Sequence, residues 1–174
     1  RWVVMLAPLG MVFWLSARMN KMSASRARTM FYVYSALMGL SLSSILLTFS
    51  MPSVARAFFI TAGAFAGLSL FGYTTKRSLS AMGSFMMFGL FGLIIAMVVN
   101  IFMASTAMHF MISVGGVLIF AGLTAYDTQD IKNMYRAGDS AEVSAKKSIF
   151  GALRLYLDFI NMFMFILQLF GNRE

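Results

Sequence analysis

The sequence contains no cysteine and few acidic residues. The absence of cysteine excludes a disulfide framework, thiolate catalysis and a cysteine-ligated metal site. Asp and Glu together number 6, against 14 Lys and Arg, and charged residues make up only 11% of the 174 residues, well below the share in soluble domains. The chain also lacks a glycine-rich phosphate loop, a Ser/His/Asp set and an HExxH motif, so we expect it not to be an enzyme.

Apolar residues make up 60% of the chain and form long runs without any charge. A helix needs about 20 apolar residues to cross about 30 Å of hydrocarbon. We therefore predict an all-α integral membrane protein, a single polytopic domain over 1–174 that contacts the lipid bilayer and is truncated at its N-terminus. Six spans are predicted, at about 2–17, 29–48, 55–74, 80–102, 109–131 and 149–170.

Basic residues are concentrated in every second connector between these spans. Ten of the 14 Lys and Arg lie in the predicted loops 18–28, 74–80 and 132–148, and three lie on the opposite side. Cytoplasmic loops of membrane proteins carry such an excess of Lys and Arg. We therefore predict that these three loops are cytoplasmic and that the protein lies in a bacterial inner (plasma) membrane. The net charge of +8 follows from this pattern, so no nucleic-acid partner is implied.

One acidic residue, Asp158, lies within the last predicted span. A carboxylate there costs roughly 2.5–3.5 kcal/mol even on lenient insertion scales, so it usually faces the helix bundle and has a partner. Asp127 and Asp130 lie at the end of the preceding span, in AYDTQDIKN, and the other three acids lie in predicted loops or at the terminus. In helices, Asp127 and Asp130 share one face, as do Arg154 and Asp158.

These residues predict a site between the last two helices, formed by Asp127 and Asp158 and supported by Asp130 and Arg154. Two carboxylates cannot both stay ionised in a dry site, so the pair would share one proton and would respond to pH. The alternative is structural. Asp158 would pair with Arg154, or Asp130 with Lys132 or Arg154, and hold the helices together without switching. Residue spacing leaves both interpretations open.

The segments AYDTQDIK and LRLYLDFINMFMFILQLFG, with YVYSALMGLSLSSI earlier in the chain, resemble the bacterial branch of the transmembrane Bax inhibitor motif family. The resemblance covers the whole chain and implies a seven-helix fold, lacking its first helix here, in which the C-terminal helix is enclosed by the others. It also implies a pH-sensitive calcium leak channel without a cofactor. Asp127 and Asp158 would be the pH sensor and the calcium ligands.

In this family an arginine near the cytoplasmic end of an earlier helix can join the sensor. The corresponding position here is near Ser23, so the basic partner would have to be one of four neighbours: Arg18, Lys21, Arg26 or Arg28. Arg154, one turn before Asp158, could instead neutralise the pair. A function of a different class is also open. Some bacterial relatives are linked to a membrane-bound AAA protease, so the chain could be a non-transporting regulator that uses loop 132–148 as its contact.

Overall fold

The computed structural model describes residues 21–171 together with Trp14, Ala17 and Arg18. This part of the chain is built of five long α-helices, here named α1 to α5 in chain order: Ala24–Leu42, Met51–Thr74, Ser80–Met103, Thr106–Met134 and Ala141–Phe170. A 3-10 helix, Ser43–Leu47, continues α1. Each of the five helices, α1 together with its 3-10 extension, is long and apolar enough to cross a bilayer. The predicted class, an all-α membrane protein, is therefore supported.

The prediction of six spans is wrong, because the described residues contain five helices able to cross a membrane. The first predicted span, 2–17, lies outside the described residues except for Trp14 and Ala17. That run was counted on its lack of charge alone, although its 16 residues fall short of the roughly 20 that a span needs. A seven-helix fold lacking only its first helix is therefore not what the described residues show.

The helices extend beyond the predicted spans, most of all at the start of α5. This helix begins at Ala141 instead of residue 149, with Ser140 as its N-cap, whose side chain accepts a hydrogen bond from the Val143 amide. The predicted loop 132–148 is therefore reduced to residues 135–140. Hydropathy marks only the part of a helix that lies in hydrocarbon, and α5 continues for about two polar turns beyond it.

Helix α5 is the most buried of the five and packs against α1, α2 and α4, while α3 packs on the far side of α4. Between residues 149 and 169, only Ala152 is exposed. The apolar core includes Met162 and Leu167 of α5, both fully buried. Arg154 and Asp158 are therefore carried on a part of α5 that has protein on most of its sides.

Glycines allow α4 to lie close to its neighbours. A Cβ atom at Gly72 of α2 would overlap the backbone carbonyl of Ala125 in α4, and a Cβ atom at Gly116 of α4 would lie 2.6 Å from the ring of Phe165 in α5. Small residues at such contacts let membrane helices approach backbone to backbone. The close approach fixes α4 against both α2 and α5, and the acidic residues lie on this α4–α5 pair.

Candidate functional site

Arg154 of α5 binds two carboxylates of α4 at once. Its Nη1 donates to Oδ2 of Asp130 at 2.6 Å, and its Nη2 donates to Oδ1 of Asp127. The planar guanidinium presents several N–H groups in a rigid fork, so one arginine can satisfy two acceptors that lie one helical turn apart. The two ion pairs therefore join α5 to α4.

Asp158 lies one turn further along α5 and is almost fully buried, with 5% of its surface exposed. Its Oδ2 has no hydrogen-bond donor among the described residues. The carboxyl group of Asp158 lies beside that of Asp127, close enough for the two groups to interact. An ionised carboxylate only accepts hydrogen bonds, so a hydrogen bond between the two groups requires a proton on one of them. The geometry therefore provides a place where Asp127 and Asp158 can share a proton.

Features of both sequence interpretations occur in the same site. The ion pair between Arg154 and Asp130 is one that the structural alternative named. Lys132 does not take part, since its Nζ donates to the Tyr73 carbonyl at 2.7 Å and lies 5.1 Å from the centre of the Tyr73 ring. Asp127 belongs to both arrangements, because it binds Arg154 on one side and faces Asp158 on the other.

The four basic residues near the start of α1 are not brought to the aspartates. All four are exposed, and among the described residues none of them forms an ion pair: Arg18, Lys21, Arg26 and Arg28. The start of α1 instead meets the start of α5, where the Ala24 amide donates to Oε1 of Glu142 at 2.7 Å. The cation at the carboxylate site is therefore Arg154, which α5 itself supplies.

Two polar residues that hold this end of the bundle together were not predicted. Gln129, which is buried, accepts a hydrogen bond from the Leu79 amide and donates one to the Arg77 carbonyl, both at 2.8 Å. Glu142, assigned to a loop from the sequence, lies in the first turn of α5. An amide within a membrane helix and a Ser-x-Glu start are the signals that could have identified them.

Within the described part of the chain, no group of three or more His, Cys, Asp or Glu side chains is arranged to hold a metal ion. Asp127 and Asp158 supply two carboxyl groups, and the third acid nearby, Asp130, is engaged by Arg154. Calcium prefers six to eight oxygen ligands. The assignment of Asp127 and Asp158 as calcium ligands therefore stays a prediction, and it concerns a permeating ion.

Comparison with known proteins agrees with the motifs. A family model described as "Inhibitor of apoptosis-promoting Bax1" matches residues 1–174. The inner membrane protein YbhL of Escherichia coli is 46% identical over 173 residues, which cover 98% of this chain and 74% of YbhL. The uncharacterized protein RP147 of Rickettsia prowazekii is 44% identical over 172 residues, covering 99% of this chain and 73% of the relative.

A further relative, an uncharacterized protein of Caulobacter vibrioides, is 48% identical over 175 residues that cover 99% of this chain and 70% of its own length. These matches extend over nearly the whole chain, including the segments that carry the two acidic motifs. The resemblance inferred from the sequence is confirmed. The chain is a multi-pass membrane protein that belongs to the Bax inhibitor family.

Proposed function

We propose that this protein is a pH-sensitive calcium leak channel of the inner membrane, gated by the protonation of Asp127 and Asp158. The observation that carries the proposal is the contact between these two buried carboxyl groups on neighbouring helices. Acidic residues inside a membrane bundle are costly and usually mark an ion or proton pathway. The family membership and the acidic motifs give further support.

Protonation decides whether the two carboxyl groups attract or repel each other. With one proton present, a hydrogen bond joins α4 to α5 through Asp127 and Asp158. With none, two like charges about 4 Å apart repel by about 4 kcal/mol at the effective dielectric constant of 20 that suits protein sites. A change of a few kcal/mol is enough to redistribute a two-state arrangement of helices. The pair therefore couples pH to the position of α5.

Arg154 sets the electrostatic balance of this switch. Its guanidinium is bound to Asp127 and Asp130, so it offsets part of the negative charge that Asp158 faces. It also keeps α5 attached to α4 when the proton is lost, because both ion pairs persist while the acids are ionised. In this mechanism Arg154 holds the helices in register, and the proton on the pair decides how closely they approach near Asp158.

Calcium flux across liposomes that contain the purified protein, measured over a range of pH, tests the proposal. We expect a flux that varies with pH in the wild type, and a flux that no longer follows pH in Asp127→Asn and Asp158→Asn, since Asn cannot ionise. Asp139→Asn is the matched control, because it makes the same chemical change at the same end of the bundle but in the 135–140 loop.

The flux experiment also separates this proposal from a non-transporting regulator of a membrane-bound AAA protease. A wild-type protein that passes no calcium at any pH contradicts the channel and leaves the regulator as the explanation. A pH-dependent flux that survives in both Asn variants contradicts the sensor, although the channel would remain.

We further propose that the basic end of the bundle faces the cytoplasm. Glu142 and Gln129 accept hydrogen bonds from the Ala24 and Leu79 amides, and Lys132 donates one to the Tyr73 carbonyl. These bonds bring together the start of α1, the connector between α2 and α3, the end of α4 and the start of α5. The chain has no cysteine, so single cysteines can be introduced cleanly. Cysteine at Ser140 should escape an impermeant reagent in intact cells and cysteine at Thr106 should react. Labelling at position 140 would show that the basic end faces outward and would contradict the proposed orientation.

A further inference from the structure

A second polar feature lies at the basic end of the bundle, next to the carboxylate site. It is a cleft of about 580 Å³ between the connector that joins α2 to α3 and the last turns of α4. Its volume falls within the range of small-molecule sites, roughly 300–1,000 Å³. The cations that line it are Lys76 and Arg77 of the connector and Lys132 of α4, and hydroxyl groups of Thr75, Ser78 and Ser80 lie among them.

The uncompensated charge in this cleft is positive. Lys76 and Arg77 are exposed, and within the described part of the chain neither forms an ion pair. The ammonium group of Lys132 donates one hydrogen bond to the Tyr73 carbonyl and has two further N–H donors. Among the described residues, the only acid in the wall is Asp130, whose carboxylate is bound to Arg154. The cleft is therefore suited to an anion.

The backbone that carries two of these cations is held in place. Gln129 of α4 accepts a hydrogen bond from the Leu79 amide and donates one to the Arg77 carbonyl, both at 2.8 Å. Both bonds are made by the buried Gln129 side chain, and they hold the connector against α4. Lys76 and Arg77 are thus presented from an ordered backbone, which lowers the entropy cost of binding.

The cleft also lies at a defined depth in the membrane. Helices α2 and α3 each contain 24 residues, so at about 1.5 Å per residue they are a little longer than the roughly 30 Å of hydrocarbon. The connector between them therefore lies among the lipid headgroups. We propose that this cleft binds the phosphate group of an anionic phospholipid in the same leaflet, through Lys76, Arg77 and Lys132.

Binding of soluble short-chain lipids to the purified full chain in detergent tests this assignment. The probes are dihexanoyl phosphatidylglycerol and dihexanoyl phosphatidylcholine, with glycerol 3-phosphate and inorganic phosphate as soluble sources of the same group. We expect the anionic lipid to bind about tenfold more tightly than the zwitterionic one. The double substitution Lys76→Gln/Arg77→Gln should remove most of that preference, since it removes two of the three cations that line the cleft.

The matched control is Arg28→Gln/Lys146→Gln, which removes two cations from the same end of the bundle outside the cleft. It should keep the preference for phosphatidylglycerol, and Arg77→Lys, which keeps the charge, should keep most of it. Size-exclusion profiles and melting temperatures without lipid show whether each variant is folded; the substituted side chains leave the backbone that Gln129 binds unchanged.

Three results overturn the proposal. The first is equal binding of the two lipids by the wild type. The second is an equal loss of preference in the cleft variant and the control, which would indicate general surface charge. The third is binding of glycerol 3-phosphate or inorganic phosphate as tightly as the anionic lipid, which would assign the cleft to a soluble phosphate compound.

Discussion

Helices α3 and α5 show opposite relations between composition and burial. Helix α3 contains no charged residue and is the most apolar of the five, yet only two of its 24 residues are buried. Helix α5 carries Arg154 and Asp158 within its apolar part and has nine of its 30 residues buried. Lipid tails are as apolar as a leucine side chain, so an apolar helix gains little by leaving them, whereas a charge inside the bilayer needs protein around it. In this protein hydrophobicity therefore indicates contact with lipid, and charge indicates the interior.

The largest effect should come from removing packing at the buried helix. Leu167 of α5 is fully buried, and Leu167→Ala should lower the free energy of unfolding by about 3 kcal/mol, because a core leucine leaves a cavity when truncated. Phe102 of α3 is 85% exposed, and Phe102→Ala should cost no more than about 0.5 kcal/mol. Denaturant titration in mixed micelles measures both. Similar losses at the two positions would break the contrast between the helices.

A second effect should appear when the half-buried cation Arg154 is removed. Breaking a buried ion pair costs about 3–5 kcal/mol, but Arg154 and Asp130 are partly exposed, so we expect Arg154→Ala to cost about 2 kcal/mol in the same titration. Arg56→Ala is the control, since Arg56 is an exposed arginine on α2 without an ion pair among the described residues. Equal stability of the two variants would mean that Arg154 does not join α5 to α4.

A smaller effect should separate two glycines within α2. At Gly72 an added Cβ atom would overlap the Ala125 carbonyl of α4, so Gly72→Ala should cost about 1–2 kcal/mol by pushing the helices apart. At Gly63 nothing lies within 4 Å of such an atom, and Gly63→Ala should be neutral or stabilise the helix by up to about 1 kcal/mol. Melting temperatures in detergent would reveal the difference, and a loss at Gly63 that matched the loss at Gly72 would contradict it.

The same contrast explains which parts of the fold could be predicted from the sequence. Helix α3 was predicted at 80–102 and is found at Ser80–Met103, because nearly all of it lies in lipid and hydropathy reports that directly. The start of α5 was placed eight residues too late, because its first two turns are polar. Those turns are helical through the Ser140 cap and through Glu142, which accepts a hydrogen bond from the start of α1. Hydropathy contains no information about either contact.

For the site, residue spacing named four residues and left the pairing among them open. The helical positions of Asp127, Asp130, Arg154 and Asp158 follow from counting, and all four lie where α4 meets α5. Which acid Arg154 binds depends on the rotation of α5 about its axis, and that rotation is set by packing such as the contact of Phe165 with Gly116. Side-chain packing between two apolar helices leaves no periodic signal when both faces are apolar, so the double ion pair of Arg154 could not be derived.

The smallest effect concerns a charge at the polar end of α5, outside the bilayer. Nζ of Lys147 lies 2.6 Å from Oδ2 of Asp139 in the 135–140 loop, and the same oxygen accepts a hydrogen bond from the Arg136 amide. The hydrogen bond from Lys147 is the larger cause, and together the two contacts lower the pKa of Asp139 below its ordinary value. A carboxyl group whose pKa is lowered on folding stabilises the folded state above its unfolded pKa, about 3.9, and loses that contribution as the pH falls through the folded pKa.

Asp139→Asn should therefore lower the melting temperature by a small and constant amount from neutral pH down to about pH 5, because the carboxylate stays ionised in both states across that range. Below the folded pKa the wild type loses the same contribution, so the two melting curves should converge. Lys147→Gln removes the same ion pair from the α5 side, and the double variant should be little worse than either single one. A difference that grew as the pH fell would contradict this assignment, whereas convergence would show that the Asp139–Lys147 ion pair stabilises the folded state only while Asp139 is ionised.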